Sequence, residues 1–403
     1  MTAGAAVTPA PALRWRVFAL TWGAYAAYYL TRKDFAVAKK TLEGELGLSR
    51  EALGWIDTGY LAAYAGGMFL WGLLVDRLGA KRVLVGGMLA SAACAVAFGL
   101  SSTVVGFAVA FGLNGIFQCT GWPATVKVMA GWFPRAGRGA VMGVWSTNYQ
   151  VGSLIANPVA AALLVACGWR AAFHGPALAL AGVALLVLAL LPAGPGPEEE
   201  AARPAGTTAG GGRAVLRVPL LWALGAAYFF MKLTRYVLLF WLPYYMQDAL
   251  GYSAGIAATL PLAFEVGGAG GALAIGWLSD RAGGRIPVAV LALLGLALAL
   301  PAYGFAARYG IGANVIALAV VGFCLFGPDS LLAGTVAQDL GGARDAGTAA
   351  GVINGLGSLG PILSGPATAI MSARFGWSAV FTALGGGALL AALVLAPWWR
   401  ARR

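Results

Sequence analysis

Charge is what this chain has least of. Only 10% of its 403 residues are Asp, Glu, Lys or Arg, against roughly 25% in an average soluble domain, which excludes an ordinary cytosolic protein. Histidine occurs once, at His174. No nucleophile–base pair, metal cluster or cofactor loop is present, so neither an enzyme nor a bound cofactor or metal is expected. The four cysteines, Cys94, Cys119, Cys167 and Cys324, sit singly in apolar segments without metal-ligand or redox spacing, and read as small packing residues. The formal charge of +12 comes with no basic run or aromatic-interleaved basic patch, which argues against nucleic acid. Arg14 and Arg16 lead into a polar-aromatic helix without a small-residue cleavage pattern, so the first helix is expected to stay.

What fills the chain instead is apolar: 60% of residues are hydrophobic. Stretches such as Val83 to Leu100, Ala171 to Leu191 and Pro287 to Leu300 approach, with their flanks, the ~20 residues that cross a bilayer as a helix. The pattern predicts an all-α membrane protein with twelve transmembrane helices near 15–38, 52–75, 82–100, 103–131, 139–166, 171–192, 216–247, 254–279, 286–306, 311–337, 346–372 and 377–399. Residues 193–213, rich in Pro, Gly and Glu, read as a cytoplasmic linker between two six-helix bundles, 1–192 and 214–403. Sixteen of the 27 Lys and Arg then fall on one side, which puts both termini in the cytoplasm by the positive-inside rule. Six, including Lys39 and Lys40, fall in outer loops. The remaining five, Arg32, Lys33, Lys127, Lys232 and Arg235, lie within helices.

The halves repeat. Gly72-Leu-Leu-Val-Asp76-Arg77-Leu-Gly79 returns as Gly276-Trp-Leu-Ser-Asp280-Arg281-Ala-Gly283, and Gly168-Trp-Arg-Ala-Ala-Phe173 as Gly376-Trp-Ser-Ala-Val-Phe381. Arg32 and Arg235 stand at nearly the same offset. Duplicated six-helix units are how many transporters are built. The Gly-x-x-x-Asp-Arg-x-Gly loop resembles the loop after the second helix of the major facilitator superfamily, present here in both expected places. Its aspartates, Asp76 and Asp280, can pair with a cation or cap a helix as a conformational latch beside Arg77 and Arg281.

A charge at membrane depth costs roughly 2.5 to 3.5 kcal/mol on insertion scales, so five cations there require partners or a purpose. The acidic residues within helices, Asp57, Glu265 and Asp329, are too few to neutralise them, and surplus positive charge attracts an anion. Tyr25, Tyr29 and Arg32 fall at i, i+4 and i+7, on one helical face. Arg235 sits in Lys232-Leu-Thr-Arg235-Tyr236, with Tyr228 seven residues before it. A guanidinium fork matches phosphate or carboxylate bidentately. The competing reading for each arginine alone is a side chain snorkelling from a helix end. Lys232 lies one turn from Arg235; Lys33 faces away from Arg32. The run Gly267-Gly-Ala-Gly-Gly271 reads as a close helix contact rather than a phosphate loop.

Tyr-Tyr-Leu-Thr-Arg-Lys-Asp-Phe (28–35), Gly-Trp-Pro (121–123), Trp-Phe-Pro-Arg-Ala-Gly-Arg-Gly (132–139), Leu-Leu-Phe-Trp-Leu-Pro-Tyr-Tyr (238–245) and Gly-Thr-Ala-Ala-Gly (347–351) resemble the organophosphate:phosphate antiporter family of that superfamily. The resemblance implies that Arg32 and Arg235 hold phosphate, that Tyr25, Tyr29 and Lys33 line the site from the first helix, and that Gln118, Trp122 and Lys127 match the fourth. It also implies that Glu265 couples to the site cations. Two positions depart from the family: Tyr149 stands where glycerol-phosphate antiporters carry histidine, and Phe240 where bacterial antiporters are acidic.

The expected function is exchange of an organic phosphate for inorganic phosphate by alternating access. The binding set is Arg32, Arg235, Tyr25, Tyr29, Lys33, Gln118, Lys127, Tyr149 and Lys232; Glu265, Asp76, Arg77, Asp280 and Arg281 serve coupling and gating. The expected partners are small anions and the lipid bilayer, for a monomer in a bacterial inner membrane. A proton-coupled symporter of another organic anion and a sugar-phosphate sensor are the alternatives, and the substrate's organic part is not legible.

Overall fold

The computed structural model describes residues 11–134, 137–192, 214–252, 256 and 259–400. The linker expected at 193–213 lies outside them. The described residues form helices and contain no strand. The first half runs through α1 (Pro11–Tyr28), α2 (Leu30–Leu46), α3 (Arg50–Leu78), α4 (Ala80–Leu100), α5 (Val104–Gln118), α6 (Gly121–Trp132), α7 (Arg138–Trp145), α8 (Asn148–Cys167) and α9 (Ala171–Leu190). The second runs through α10 (Pro219–Asp248), α11 (Leu262–Arg281), α12 (Arg285–Ala306), α13 (Ile311–Ser330), a π-helical turn at Leu331–Val336, and α14 (Ala337–Leu395).

Ten helices among the described residues are long and apolar enough to cross a bilayer. The two further crossings of the twelve-helix fold are polar for identifiable reasons. The first, α1 with α2, carries Arg14, Arg16, Arg32, Lys33, Asp34 and Lys39. The other is the stretch of α14 after Gly342, with Asp345, Thr348, Asn354 and Ser358. As one straight helix, the 59 residues of α14 would reach roughly 88 Å at 1.5 Å per residue, about three bilayer cores. Gly376, at φ 77, breaks the run.

That glycine belongs to a set. Positive-φ glycines pair across the halves as Gly47 with Gly251, Gly79 with Gly283, Gly137 with Gly342 and Gly168 with Gly376, so the duplication seen in two loops extends to four chain reversals. Gly168 (φ 84) has open space where a Cβ would sit, which isolates backbone strain from crowding. Gly168→Ala is therefore expected to cost about 1 kcal/mol, read as a lowered midpoint of thermal unfolding in detergent.

Contacts divide the chain into two units. One comprises Met1–Pro134, Asn148–Arg217 and Ala337–Val352; the other comprises Arg135–Thr147, Val218–Val336 and Ile353–Arg403. Each unit thus takes in a short segment from the opposite half of the sequence. The repeated Gly-Trp motif anchors an aromatic cluster in each. In the first unit Phe173 stacks on Phe98 at 4.3 Å and Trp169 meets Phe107 edge-on at 5.9 Å. In the second, Phe381 meets Tyr245 and Tyr303 at 4.9 and 5.0 Å, and Trp377 meets Tyr245 at 5.2 Å. The Gly267–Gly271 run packs α11 on α13: a Cβ at Gly267 or Gly271 would overlap the carbonyl of Ala319 or Phe323. Such close backbone approach is how helices associate where lipid removes the hydrophobic drive.

The crossings expected as single helices at 15–38, 103–131 and 139–166 are each interrupted mid-way, at Tyr29, at Cys119–Thr120 and at Ser146–Thr147. Pro123, three residues past the second break, lacks the N–H that would continue the ladder. The first crossing also runs past Lys39, expected in an outer loop, to Leu46, where Gly47 at φ 65 ends it.

Candidate functional site

Irregular backbone at membrane depth is tolerated where protein or a cavity re-satisfies the freed groups. In the first unit Gln118 does this at the first break, its Nε2 donating to the Tyr28 carbonyl at 3.1 Å; the Tyr28 hydroxyl in turn lies 2.6 Å from Thr120 Oγ1 at the α5–α6 break and donates to the Leu84 carbonyl at 3.2 Å. Gly121 gives the Tyr25 and Tyr28 rings room, and Gly152 lets α8 touch the Ala26 backbone. The breaks in the first and fourth crossings, with the start of α8, therefore lie together, beside Arg32.

Arg32 is held by neutral groups. Its Nε donates to Gln118 Oε1 at 3.1 Å, and its guanidinium carbon lies 4.6 Å from the centre of the Tyr29 ring and 5.3 Å from that of Tyr64. Tyr25 and Tyr29 are buried, with ring centroids 6.3 Å apart, so the i, i+4, i+7 face forms despite the break. Buried Nη2 of Arg32 has no hydrogen-bond partner among the described residues.

Gln118, expected from sequence to bind substrate, is fully buried and tied into the protein by its own amide. Its Nε2 donates to the Tyr28 carbonyl (3.1 Å), Thr31 Oγ1 (2.8 Å) and Ser91 Oγ (3.0 Å). Ser91 in turn donates to Asn114 Oδ1 at 2.6 Å, and Asn114 Nδ2 to the Thr31 carbonyl at 2.8 Å. With its amide nitrogen so committed, Gln118 can present only its oxygen to Arg32. Gln118→Glu replaces that neutral acceptor with a carboxylate that neutralises Arg32. It is expected to raise the anion concentration for half-maximal binding at least about tenfold, measurable by anion-dependent thermal stabilisation. Ser91, Asn114 and Tyr64 escaped the sequence reading because uncharged polar residues in a helix carry no signal of cost.

In the second unit, Tyr228, Lys232 and Arg235 fall at i, i+4 and i+7 on α10. Lys232 is buried and donates to Asn354 Oδ1 at 2.5 Å and Ser358 Oγ at 2.8 Å, with the Tyr228 ring 5.5 Å away. The Arg235 guanidinium lies over Phe326 at 4.7 Å, with Asp329 Oδ2 3.8 Å from its Nη1. Glu265 lies half-buried in the first turn of α11. Lys33 is half-buried on α2, and Tyr149 is buried at the start of α8.

Lys127 belongs to a different constellation. Its ammonium lies 2.9 Å from Asp76 Oδ1, and Asp76 Oδ2 accepts from Thr348 N at 2.7 Å and Thr348 Oγ1 at 2.5 Å. Gly72 and Gly351 allow this approach, since a Cβ on Gly72 would lie 2.6 Å from the Gly351 Cα. The second unit holds the counterpart. Asp280 accepts from Gly139 N at 3.3 Å and Ala140 N at 2.9 Å, at the start of α7, and from Arg285 at 2.5 Å, with Gly276 packed on Gly139. A carboxylate on the open N–H groups of a helix start is favourable for both hydrogen bonding and dipole. Arg77 and Arg281 stand outside both clusters: each is exposed, and Arg281 covers Trp277 at 4.2 Å.

Two duplicated halves, each with an arginine against aromatic side-chain surface and an aspartate of the repeated motif that accepts from backbone N–H, define a polytopic membrane protein. The major facilitator superfamily model matches residues 18–365. The glycerol-3-phosphate transporter of Bacillus subtilis is 31% identical to this chain, covering 96% of it and 92% of the relative. The glucose-6-phosphate exchanger SLC37A2 of Bos taurus is 28% identical, covering 96% and 94%. The solved structure of the proton:xylose symporter XylE shares the fold with a TM-score of 0.78 at 16% identity, over 96% of each chain. The chain belongs to the major facilitator superfamily, within the group that holds these phosphate-ester transporters, and is a multi-pass membrane protein.

Proposed function

We propose that this protein carries an organic phosphate across the membrane in exchange for inorganic phosphate, by alternating access of its two halves. The observation that carries the reading is the matched pair Arg32 and Arg235, one guanidinium per half inside an apolar chain, the first beside the rings of Tyr29 and Tyr64 and the second over that of Phe326. The phosphate esters named for its relatives support the same headgroup. Tyr25, Tyr29, Lys33, Tyr149 and Lys232 complete the proposed binding set, Gln118 orients Arg32 within it, and Glu265 is its coupling carboxylate. The Asp76 and Asp280 clusters gate, with Lys127 serving the first of them. The charge asymmetry of the loops supports cytoplasmic termini, and a monomer in a bacterial inner membrane is the proposed form.

The test is uptake into reconstituted vesicles. Phosphate trapped inside should accelerate entry of labelled phosphate or sugar phosphate. Uptake indifferent to trapped phosphate that instead follows a proton gradient would overturn the exchange reading in favour of symport, and binding without flux would make the protein a sensor.

A further inference from the structure

We propose that Asp329 is a displaceable counter-ion of Arg235, so that the two matched arginines do unequal work. The inference rests on the anion-exchange reading and adds a residue to it.

The surroundings of the two arginines differ in kind. Arg32 is flanked by an amide oxygen and two phenol rings, none carrying formal charge, and one of its terminal nitrogens has no hydrogen-bond partner among the described residues. Arg235 faces a carboxylate. Asp329 Oδ2 lies 3.8 Å from Nη1, close enough to neutralise charge but beyond the distance of a hydrogen bond. The Asp329 side chain is 3% exposed and that of Arg235 20%, so an arriving anion meets the guanidinium and not the carboxylate. An anion bound to Arg235 takes over the neutralising role, and Asp329 gives it up.

Asp329 also sits where α13 is least regular. Pro328 precedes it, lies inside the helix and lacks an N–H, and the π-helical turn Leu331–Val336 begins two residues later. A local widening of this kind is characteristic of functional positions in helices, and it lets a carboxylate shift without moving the whole crossing. Lys232, one turn from Arg235, is engaged by Asn354 and Ser358, and Glu265 stands on α11, the helix packed against α13. Arg32 thus serves as the standing anchor for the anion, and Arg235 as the arm that exchanges an internal partner for an external one.

The experiment measures inorganic phosphate exchange by full-length protein in vesicles, with phosphate-dependent thermal stabilisation in detergent alongside. Asp329→Asn removes the competitor. It should lower the phosphate concentration for half-maximal exchange and half-maximal stabilisation about fivefold, and Asp329→Glu should restore the wild-type value. An unchanged or raised concentration in Asp329→Asn overturns the proposal. If Asp329→Asn does not transport, the stabilisation arm decides by the same criterion. Wild-type protein that is stabilised by phosphate yet does not exchange it would overturn the exchange reading, while the comparison between wild type and Asp329→Asn would still judge the counter-ion.

Discussion

Arg32→Lys is expected to reduce the efficiency of phosphate uptake about 100-fold, with Arg235→Lys also strongly impaired. The loss at Arg32 follows from removal of about one charge-assisted hydrogen bond, about 1.5 to 3 kcal/mol, in a site where the charge itself is preserved. The Arg32 guanidinium uses Nε to hold Gln118 at 3.1 Å while its terminal nitrogens remain directed elsewhere. An ammonium has three N–H groups, but they radiate from one nitrogen at the end of an unforked stem. It cannot reproduce the planar fork that lets Nε hold Gln118, whose amide nitrogen is tied to Tyr28, Thr31 and Ser91, while the terminal nitrogens meet an anion side by side. A retained thermal midpoint with lost phosphate-dependent stabilisation would show that recognition failed and not folding. Uptake within threefold of wild type for both lysine variants would overturn the assignment of the pair.

The fold and the two arginines were legible because a bilayer constrains sequence so strongly. Apolar runs of bilayer length recurring along a whole chain have no place in a soluble domain, and a charge inside one is costly enough to stand out at Arg32 and Arg235. What the chain does at mid-depth was less visible. The breaks at Tyr29 and Ser146–Thr147 carry neither Pro nor Gly, and only Pro123 hinted at the break before it; side-chain hydrogen bonds such as that from Gln118 Nε2 to the Tyr28 carbonyl supply what the ladder loses. Pairings were hidden for a different reason. Lys127 and Asp76 are 51 positions apart and Arg235 and Asp329 are 94 apart, and no local pattern tells a lysine which carboxylate it will meet. Gln118 lies beside Arg32, but its bonds to Tyr28, Thr31 and Ser91 are not legible in sequence, since helical periodicity gives a face but not the far end of an amide.

Asp76→Asn is expected to be the more damaging change for the architecture itself. Its carboxylate is 7% exposed and the Lys127 side chain 15%, so the change removes the charge that a largely buried ammonium faces at 2.9 Å. Breaking such a pair from one side costs about 3 to 5 kcal/mol. The same carboxylate accepts from both the backbone N–H and hydroxyl of Thr348, and an amide in its place satisfies them less well. Lys127→Leu should recover part of the loss in the Asp76→Asn background, giving less than additive destabilisation in a double-mutant cycle of thermal midpoints. Strict additivity would separate the two side chains. Asp280→Asn is predicted to behave alike, because Asp280 is joined to Arg285 and to the first N–H groups of α7 in the same manner. Transport distinguishes a latch from a brace: a brace that is merely structural loses rate only in proportion to folded protein. A contact that must form and part in every cycle should change the maximal exchange rate per folded molecule and leave the half-saturating phosphate concentration near its wild-type value, because Asp76 pairs with Lys127 and Asp280 with Arg285 rather than with the arginines proposed to hold the anion.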